Sequence, residues 1–130
     1  MRVQRGDIVL LPIAFTSGAG TKLRPALVVQ SDHNNVRLND TIVAIFTKTT
    51  HRATREPTQL LIDVNTNEGQ QSGLLHTSAV KCEHLDTVSM AVISRVIGSL
   101  PPATMTQIEG CLKAALAIPY ETGIRPASSR

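Results

Sequence analysis

Residues 5–29 read RGDIVLLPIAFTSGAGTKLRPALVV, and they contain two short apolar runs on either side of a loop. The first run, residues 8–13, has the length of a strand, and the Thr, Ser and Gly residues at 16–20 are typical of a loop. The second run, residues 26–29, follows Pro25, which a strand tolerates at its start because the missing N–H is not yet needed by the ladder. This stretch therefore predicts two short strands joined by a glycine-rich loop.

Four further strand-like runs follow, at residues 41–46, 59–64, 74–85 and 92–97. In the second of these runs, Leu60, Ile62 and Val64 alternate with polar residues, as they do in a half-buried strand. The polar segment 65–73 is predicted to be a loop, and the polar segment 31–40 is predicted to be a loop or a single helical turn. This part of the chain is therefore predicted to be mainly β-strand.

The hydrophobic period changes after Pro101 and Pro102, which suit the first turn of a helix. From residue 102 to 118, apolar residues recur at steps of three and four, which predicts one amphipathic helix that ends before Pro119. Gly110 inside this helix suggests close packing against a neighbouring element. Five or six short strands followed by one helix predict a small, partly open antiparallel β-barrel with the helix covering one side.

The length of 130 residues fits one domain, which we place at residues 1–120, followed by a flexible tail at 121–130. Apolar residues make up 42% of the chain and charged residues 18%, so it can bury a core and does not have a disordered composition. The net charge of +3 is compatible with a polyanionic partner without requiring one. Because Phe15, Phe46 and Tyr120 are the whole aromatic set, a bound nucleic acid would be held mainly by charge and hydrogen bonds.

The cysteines and histidines do not have the spacing of a metal site. Cys82 and Cys111 form no CxxC pair, which disfavours a zinc ribbon or disulfide framework and predicts free, buried thiols in a reducing cytoplasm. His76, Cys82 and His84 share one face of a predicted strand, but at about 3.3 Å per residue His76 and Cys82 would lie roughly 20 Å apart. We therefore expect neither a metal nor a cofactor.

The N-terminal region indicates no membrane association. Its apolar run, residues 8–14, is too short for a transmembrane helix, and no signal-peptide cleavage site follows the run. We therefore expect a cytoplasmic protein.

Five sequence elements follow one another along the chain: RGDIV at 5–9, KLRPALV at 22–28, TIVAIFT at 41–47, the spacing of Ser78, Glu83 and Thr87, and RVIGSL at 95–100. This ordered set resembles the MazF/PemK family of toxins, and the resemblance covers roughly residues 5 to 118. It implies that the predicted barrel is SH3-like, of the MazF/PemK/CcdB kind, and that it works as a homodimer.

Members of this family are toxin components of type II toxin–antitoxin systems. The resemblance implies a sequence-specific, metal-independent endoribonuclease that cuts single-stranded mRNA and so inhibits translation and growth. It also implies a cognate antitoxin whose disordered C-terminal segment lies across the toxin dimer. Carried over to this sequence, the catalytic pair is Arg24, at the start of the second predicted strand, and Thr47, at the end of the third.

This pair suits the cleavage of RNA by its own 2′-hydroxyl. The planar guanidinium of Arg24 can donate two parallel hydrogen bonds to phosphate and stabilise the charge that builds on its oxygens, without a metal. A guanidinium stays protonated at neutral pH, so a proton-abstracting role does not suit it. Thr47 would donate its hydroxyl to a non-bridging oxygen. The expected products are a 2′,3′-cyclic phosphate and a 5′-hydroxyl, and the need for a 2′-hydroxyl makes RNA rather than DNA the substrate.

A basic, threonine-rich loop at residues 48–57 follows Thr47 directly and extends the expected RNA contacts. The residues expected to contact RNA are Lys22, Lys48, His51, Arg52, Arg55 and Glu83.

Two positions depart from the family's pattern. The loop at 18–22 lacks the acidic residue that many members carry, and Asp86 stands where many members carry an arginine. An acidic residue beside an RNA groove would weaken phosphate binding or change the recognised sequence. Two alternatives therefore stay open, a gyrase-inhibiting toxin on the same fold and a non-catalytic antitoxin-binding module, although the presence of Arg24 and Thr47 favours the nuclease.

Overall fold

The computed structural model describes residues 2–14 and 18–119 of the chain. Its elements follow in the order β1 (Asp7–Ala14), β2 (Thr21–Val28), α1 (Asp32–Arg37), β3 (Asp40–Thr47), β4 (Gln59–Ile62), α2 (Asn67–Gln71), β5 (Ser78–Ser89), a 3-10 turn (Met90–Val92), β6 (Arg95–Ser99) and α3 (Pro102–Leu116). The expected tail at 121–130 and part of the expected loop at 16–20 lie outside the described residues.

The six strands form one antiparallel sheet in the order β4-β5-β3-β2-β1-β6. Two register shifts bend this sheet, one between Ile8 and Val9 on β1 and one between Ala44 and Ile45 on β3. Such bulges increase the local twist and let a sheet curl. Among the described strands, β4 and β6 do not pair with each other, so the curled sheet is a half-barrel. The predicted mainly β, partly open antiparallel fold is confirmed.

The sheet buries apolar side chains on both faces, because neighbours along a strand point to opposite sides. On β1, Ile8 belongs to one core cluster and Val9 to another. The predicted amphipathic helix, α3, covers the first cluster with Met105 and Ile108, while Met90 in the 3-10 turn helps to cover the second. A fully buried aliphatic side chain contributes about 1.5–3 kcal/mol, so this stripe of side chains holds α3 on the sheet.

Two buried thiols join α3 to the sheet. Cys82 on β5 and Cys111 on α3 are free and buried in the first core cluster, as the sequence predicts. The hydrogen bond with Cys111 and burial both raise the pKa of the Cys82 thiol. Cys82 therefore stays protonated at neutral pH and packs as a small apolar side chain.

The polar segments hold two short helices. α1 is the helical turn that the sequence offers as one alternative for residues 31–40. α2 replaces the loop predicted for residues 65–73, because Thr66 caps its N-terminus by accepting a hydrogen bond from the N–H of Gly69 at 3.1 Å.

A buried polar network fixes α1 beside the sheet. Asn35 is 1% exposed, and its side-chain carbonyl accepts hydrogen bonds from Gln30 at 2.9 Å and from the hydroxyl of Thr41 at 2.8 Å. Its amide donates back to the main-chain carbonyl of Gln30 at 3.1 Å. Because these buried groups satisfy one another, the network holds the turn between β2 and β3 in one conformation.

Residues 74–77 lie outside the sheet, although the sequence predicts that a strand begins there. β5 begins only at Ser78. Gly73 has a positive φ of 74°, and a Cβ there would lie 2.0 Å from the main-chain oxygen of Ile97. Only glycine fits this turn, where the backbone of residue 73 crosses β6. Residues 74–77 form a loop, called the 74–77 loop below.

Other boundaries and one packing expectation also differ from the sequence prediction. β4 ends at Ile62 rather than at residue 64, and β5 extends to Ser89 rather than ending at residue 85. β2 begins already at Thr21, β6 begins at Arg95 because the 3-10 turn precedes it, and α3 ends at Leu116. The expected close packing at Gly110 is wrong, since nothing lies within 4 Å of a Cβ added there. In the described part of the chain, no helix is both long and apolar enough to cross a membrane.

Candidate active site

A cleft opens where β2 and β3 separate. β2 is paired with β1 from Ile8↔Leu27 out to the pair Ala14↔Thr21, whereas its pairing with β3 ends at Ala26↔Ile45. Pro25 comes directly before Ala26 and has no N–H to donate, so it cannot serve as a donor in a continued ladder. The sheet therefore has a gap between two strands that are each held firmly by their outer neighbour.

The cleft has a volume of about 520 Å³, within the range of ordinary ligand sites. It is lined by residue 10 of β1, residues 22–25 of β2, residues 46–48 at the end of β3, residues 73–76 and 78 around the 74–77 loop, and residues 95–97 of β6. Five separate parts of the fold thus converge on one opening.

The two predicted catalytic residues meet in this cleft. Arg24 and Thr47 each lie two residues beyond the last β2–β3 pair, Ala26↔Ile45, and both side chains line the cleft and are half-buried. Arg24 lies in the middle of β2 rather than at the start of the strand, where the sequence analysis places it. Its partner on β1 is Leu11, so the arginine is carried by a well-paired part of the hairpin.

The hydroxyl of Thr47 is oriented by the backbone that follows β3. Its Oγ1 accepts a hydrogen bond from the N–H of Thr49 at 3.1 Å. A hydroxyl has one proton to donate and two lone pairs, so this contact leaves the proton of Thr47 available to a ligand. Arg24 is equally available, since it forms no ion pair with any described residue.

The cleft is positively charged. Lys22, Arg24, Lys48 and Arg95 line it, and its described lining contains no Asp or Glu. Four cations around one opening give a site for phosphate groups, whose binding to such sites weakens as salt increases.

The walls of the cleft are apolar but not aromatic. Leu23, Leu75 and Val96 are 48%, 87% and 40% exposed at its edge. Phe46, the aromatic residue in the lining, is only 6% exposed and belongs to the first core cluster. The described lining therefore offers a nucleic acid charge, hydrogen bonds and aliphatic surface, and its exposed ring is the imidazole of His76 rather than a Phe, Tyr or Trp side chain.

Some of the residues predicted to contact RNA lie outside the cleft lining. His51, Arg52 and Arg55 are exposed in consecutive turns beyond Lys48, where the N–H of Arg55 donates to the carbonyl of Arg52 at 3.0 Å. They extend the positive charge away from the cleft along the chain that follows β3.

Glu83 also lies outside the cleft lining, on β5. Its carboxylate accepts hydrogen bonds from the hydroxyl of Thr58 at 2.9 Å and the amide of Gln59 at 2.8 Å. Burial alone would raise the pKa of Glu83, but these hydrogen bonds and the charge of Lys81 hold it below its ordinary value. Glu83 thus fastens the beginning of β4 to β5.

Asp86, the acidic departure from the family's pattern, is exposed on β5 opposite Val43 and does not line the cleft. The negative charge that the sequence analysis associates with weaker phosphate binding therefore lies away from Arg24 and Thr47.

Two ionisable residues of the cleft, Arg95 and His76, were not predicted to be site residues from the sequence. Arg95 belongs to it because Leu10 on β1 pairs with Pro25 on one side and with Arg95 on the other. His76 belongs to it because the 74–77 loop lies outside the sheet. The signal for His76 was Gly73, a residue that often interrupts a strand. The sequence contains no comparable signal for Arg95.

His76 enters the sequence analysis only as a rejected metal ligand. In the parts of the chain that the structure describes, no three His, Cys, Asp or Glu side chains converge where they could hold a metal ion.

A family model described as PemK-like, MazF-like toxin of type II toxin–antitoxin system matches residues 4–116 of this chain. The chain belongs to this PemK/MazF-like toxin family. The resemblance drawn from the order of sequence elements is therefore confirmed, and the cleft with Arg24 and Thr47 lies within the matched region.

Solved structures of MazF-type proteins share the fold. An endoribonuclease solved in complex with its cognate antitoxin, from a mycobacterial species, has a TM-score of 0.73 and 21% identity, over 91% of this chain and 98% of that one. The Mycobacterium tuberculosis toxin MazF-mt6 has a TM-score of 0.66 and 20% identity, over 86% and 99%. MazF in a MazE–MazF complex from Deinococcus radiodurans has a TM-score of 0.66 and 18% identity, over 91% and 98%.

Proposed function

We propose that this PemK/MazF-like toxin is a sequence-specific, metal-independent endoribonuclease that cleaves single-stranded mRNA in the cleft between β2 and β3. The observation that carries the proposal is the meeting of Arg24 and Thr47 across the gap in the sheet, in a cleft with four cations and no described carboxylate. The scissile phosphate lies between these two side chains.

Arg24 stabilises the charge of the transition state. As the 2′-oxygen attacks phosphorus, negative charge builds on the non-bridging oxygens, and the guanidinium donates to them with two parallel N–H groups. The hairpin of β1 and β2 fixes the backbone of Arg24, so little reorganisation is needed during the reaction.

Thr47 supplies a neutral donor on the other side of the phosphate. Its oxygen already accepts from Thr49, and its proton remains available to a ligand. The products are a 2′,3′-cyclic phosphate and a 5′-hydroxyl. The cations of the cleft supply the positive charge that a metal ion would otherwise provide.

The remaining cations bind the RNA backbone on both sides of the cut. Lys22, Lys48 and Arg95 hold phosphates in the cleft, and the exposed loop with His51, Arg52 and Arg55 extends the path along the strand. Glu83 contributes on β5, outside the cleft lining, where a carboxylate oxygen can accept a hydrogen bond from an amino group of an RNA base. Single-stranded RNA fits this path because its phosphates need no regular spacing.

A cognate antitoxin is proposed as the second partner, with a disordered C-terminal segment that covers the cleft of a toxin homodimer. The exposed Leu23, Leu75 and Val96 beside the cations suit a segment with both apolar and acidic side chains. Release of the antitoxin then leads to mRNA cleavage in the cytoplasm and to arrest of translation.

The test is a gel of long, mixed-sequence single-stranded RNA incubated with purified protein in excess EDTA. Wild-type protein should give discrete fragments that end in a 2′,3′-cyclic phosphate, while Arg24→Ala and Thr47→Val should leave the RNA intact. Intact RNA with folded, antitoxin-free wild-type protein would refute the nuclease. A supercoiling assay would then identify a gyrase inhibitor, and binding to antitoxin alone would identify a silent module.

A further inference from the structure

The cleft contains phosphate-binding groups in excess but few groups that can move a proton. The guanidinium and ammonium groups of Arg24, Lys22, Lys48 and Arg95 stay protonated at neutral pH, and the hydroxyl of Thr47 does not take up a proton there. Attack by a 2′-hydroxyl needs a group that removes its proton in the transition state. The cations and Thr47 therefore leave one catalytic role without a residue.

His76 is the described residue of the cleft whose side-chain type exchanges protons between pH 5 and 8. Its imidazole is exposed, and among the described residues it has no hydrogen-bond or ion-pair partner, so a ligand can reach both ring nitrogens. It also lies close to the predicted pair, because Ala79, three residues further on, is paired with Thr47. Three residues span about 10 Å at most and the cross-strand pair adds about 5 Å, so the Cα atoms of His76 and Thr47 lie within about 15 Å of each other. The two side chains extend into the same cleft from this distance, and the 2′-hydroxyl must lie within hydrogen-bond reach of the imidazole.

The backbone of His76 is anchored although its side chain is exposed. The hydroxyl of Ser78 donates to the main-chain carbonyl of His76 at 2.8 Å, and Ser78 itself is 4% exposed. The next residue, Thr77, accepts a hydrogen bond from the N–H of Val64 at 3.1 Å. Gly73 fixes the other end of the loop against β6. The imidazole is thus presented to the cleft from a held loop rather than from a free chain.

We infer that His76 is the general base of the cleavage reaction, a role that rests on the proposed ribonuclease function. Neutral imidazole takes the proton of the 2′-hydroxyl while the 2′-oxygen forms its bond to phosphorus. The bond between phosphorus and the 5′-oxygen breaks, and the leaving 5′-oxygen takes a proton from water. The hydroxide that remains neutralises the imidazolium, and the free enzyme is restored.

The surrounding charges fit this role. The charged groups that share the cleft with His76 are Lys22 and Arg24 from β2, Lys48 after β3 and Arg95 from β6. All four are cations. They stabilise the alkoxide character that develops on the 2′-oxygen as its proton leaves.

The experiment begins with wild-type protein, whose cleavage sites are mapped on long RNA so that a short substrate with one site can be made. Single-turnover cleavage is then measured in EDTA from pH 5 to 9 for wild type, His76→Ala and His76→Gln. His33→Ala is the matched control, because His33 is exposed on α1 and outside the cleft lining. Circular dichroism and thermal midpoints check that each variant is folded.

Both His76 variants should cleave about 10²–10⁴-fold more slowly, the usual contribution of a general base. The wild-type rate should fall as the pH is lowered through the range where imidazole protonates, and this limb should disappear in the variants. Added imidazole should partly restore His76→Ala. The Kd for a substrate with a 2′-deoxy sugar at the cut should stay within about twofold of wild type, because a base contributes to chemistry rather than to phosphate binding.

A substrate with sulfur in place of the 5′-bridging oxygen separates the base from an acid. The thiolate leaves without a proton, so a defect in proton donation would vanish with this substrate, whereas a defect in the base persists. Recovery of the variants on the sulfur substrate, or variants with the rate and pH profile of His33→Ala, would overturn this inference while the ribonuclease stands. Wild-type protein that cuts no RNA would overturn both.

Discussion

Replacing Arg24 separates transition-state stabilisation from simple attraction of RNA. Arg24→Ala removes one of the four cations of the cleft and leaves Lys22, Lys48 and Arg95 in place. For a single strand the slope of log K against log salt is about −0.7 per phosphate contact, so the cleft's share of the slope should change from about −2.8 to about −2.1. The loss of one hydrogen bond from a charged group, taken at the lower limit of its usual free energy, raises the Kd by about tenfold.

The rate should fall much further than the affinity. A donor that acts on a developing oxyanion contributes about 10²–10³ in kcat, or about 2.7–4 kcal/mol, because its contact strengthens only as the charge appears. Arg24→Lys keeps the charge but loses the planar fork, so it should recover the salt slope and most of the affinity while its rate stays close to that of Arg24→Ala.

The assay is single-turnover cleavage at saturating enzyme, combined with fluorescence anisotropy on a 2′-deoxy substrate at several salt concentrations. Arg37→Ala serves as the control, because Arg37 is an exposed arginine on α1 outside the cleft lining. A loss that lies entirely in Kd with an unchanged cleavage rate, or full activity of Arg24→Lys, would show that Arg24 only attracts RNA.

Four further substitutions test the framework of the fold. Gly73→Ala should lower the free energy of unfolding by at least about 2 kcal/mol in urea titrations, because its φ is positive and a Cβ would meet a main-chain oxygen of β6. Gly110→Ala should instead raise the free energy of unfolding by about 0.5–1 kcal/mol, because the space around a Cβ there is open. Asn35→Ala should cost about 1–3 kcal/mol, since Thr41 loses its buried acceptor. The lowered pKa of Glu83 means that its contribution to stability is present above its ordinary pKa of 4.5 and is lost as the pH falls through the lower folded value. Glu83→Gln should remove this part of the acid dependence of the thermal midpoint, and an unchanged acid profile would contradict the role of its hydrogen bonds.

The strands and the final helix were predictable because their signals are local. Apolar runs, the alternation at residues 59–64 and the helical period after Pro102 all lie within single elements. The meeting of Arg24 and Thr47 was available from the family resemblance, which encodes their places at neighbouring strands. These parts of the prediction needed no knowledge of which distant strands pair.

The rest of the cleft depends on contacts that a sequence pattern does not contain. Arg95 lines it only because β6, near the end of the chain, pairs with β1 at the beginning. His76 lines it because the 74–77 loop lies outside the sheet, although the sequence of Leu74 and Leu75 is typical of the start of a buried strand. Leu75 is apolar but 87% exposed, so the turn at Gly73, and not burial of the side chain, determines the position of Leu75.

Pro25 explains why the cleft and Arg24, the proposed catalytic arginine, occur together. Its missing N–H cannot extend the ladder to β3, so the strands separate at this point. The same ring restricts the preceding residue to extended backbone angles, which keeps Arg24 in the conformation of a strand although its neighbour strand has moved away. At the Arg-Pro pair the ladder to β3 therefore ends, while β1 still holds Arg24 through its pairing with Leu11.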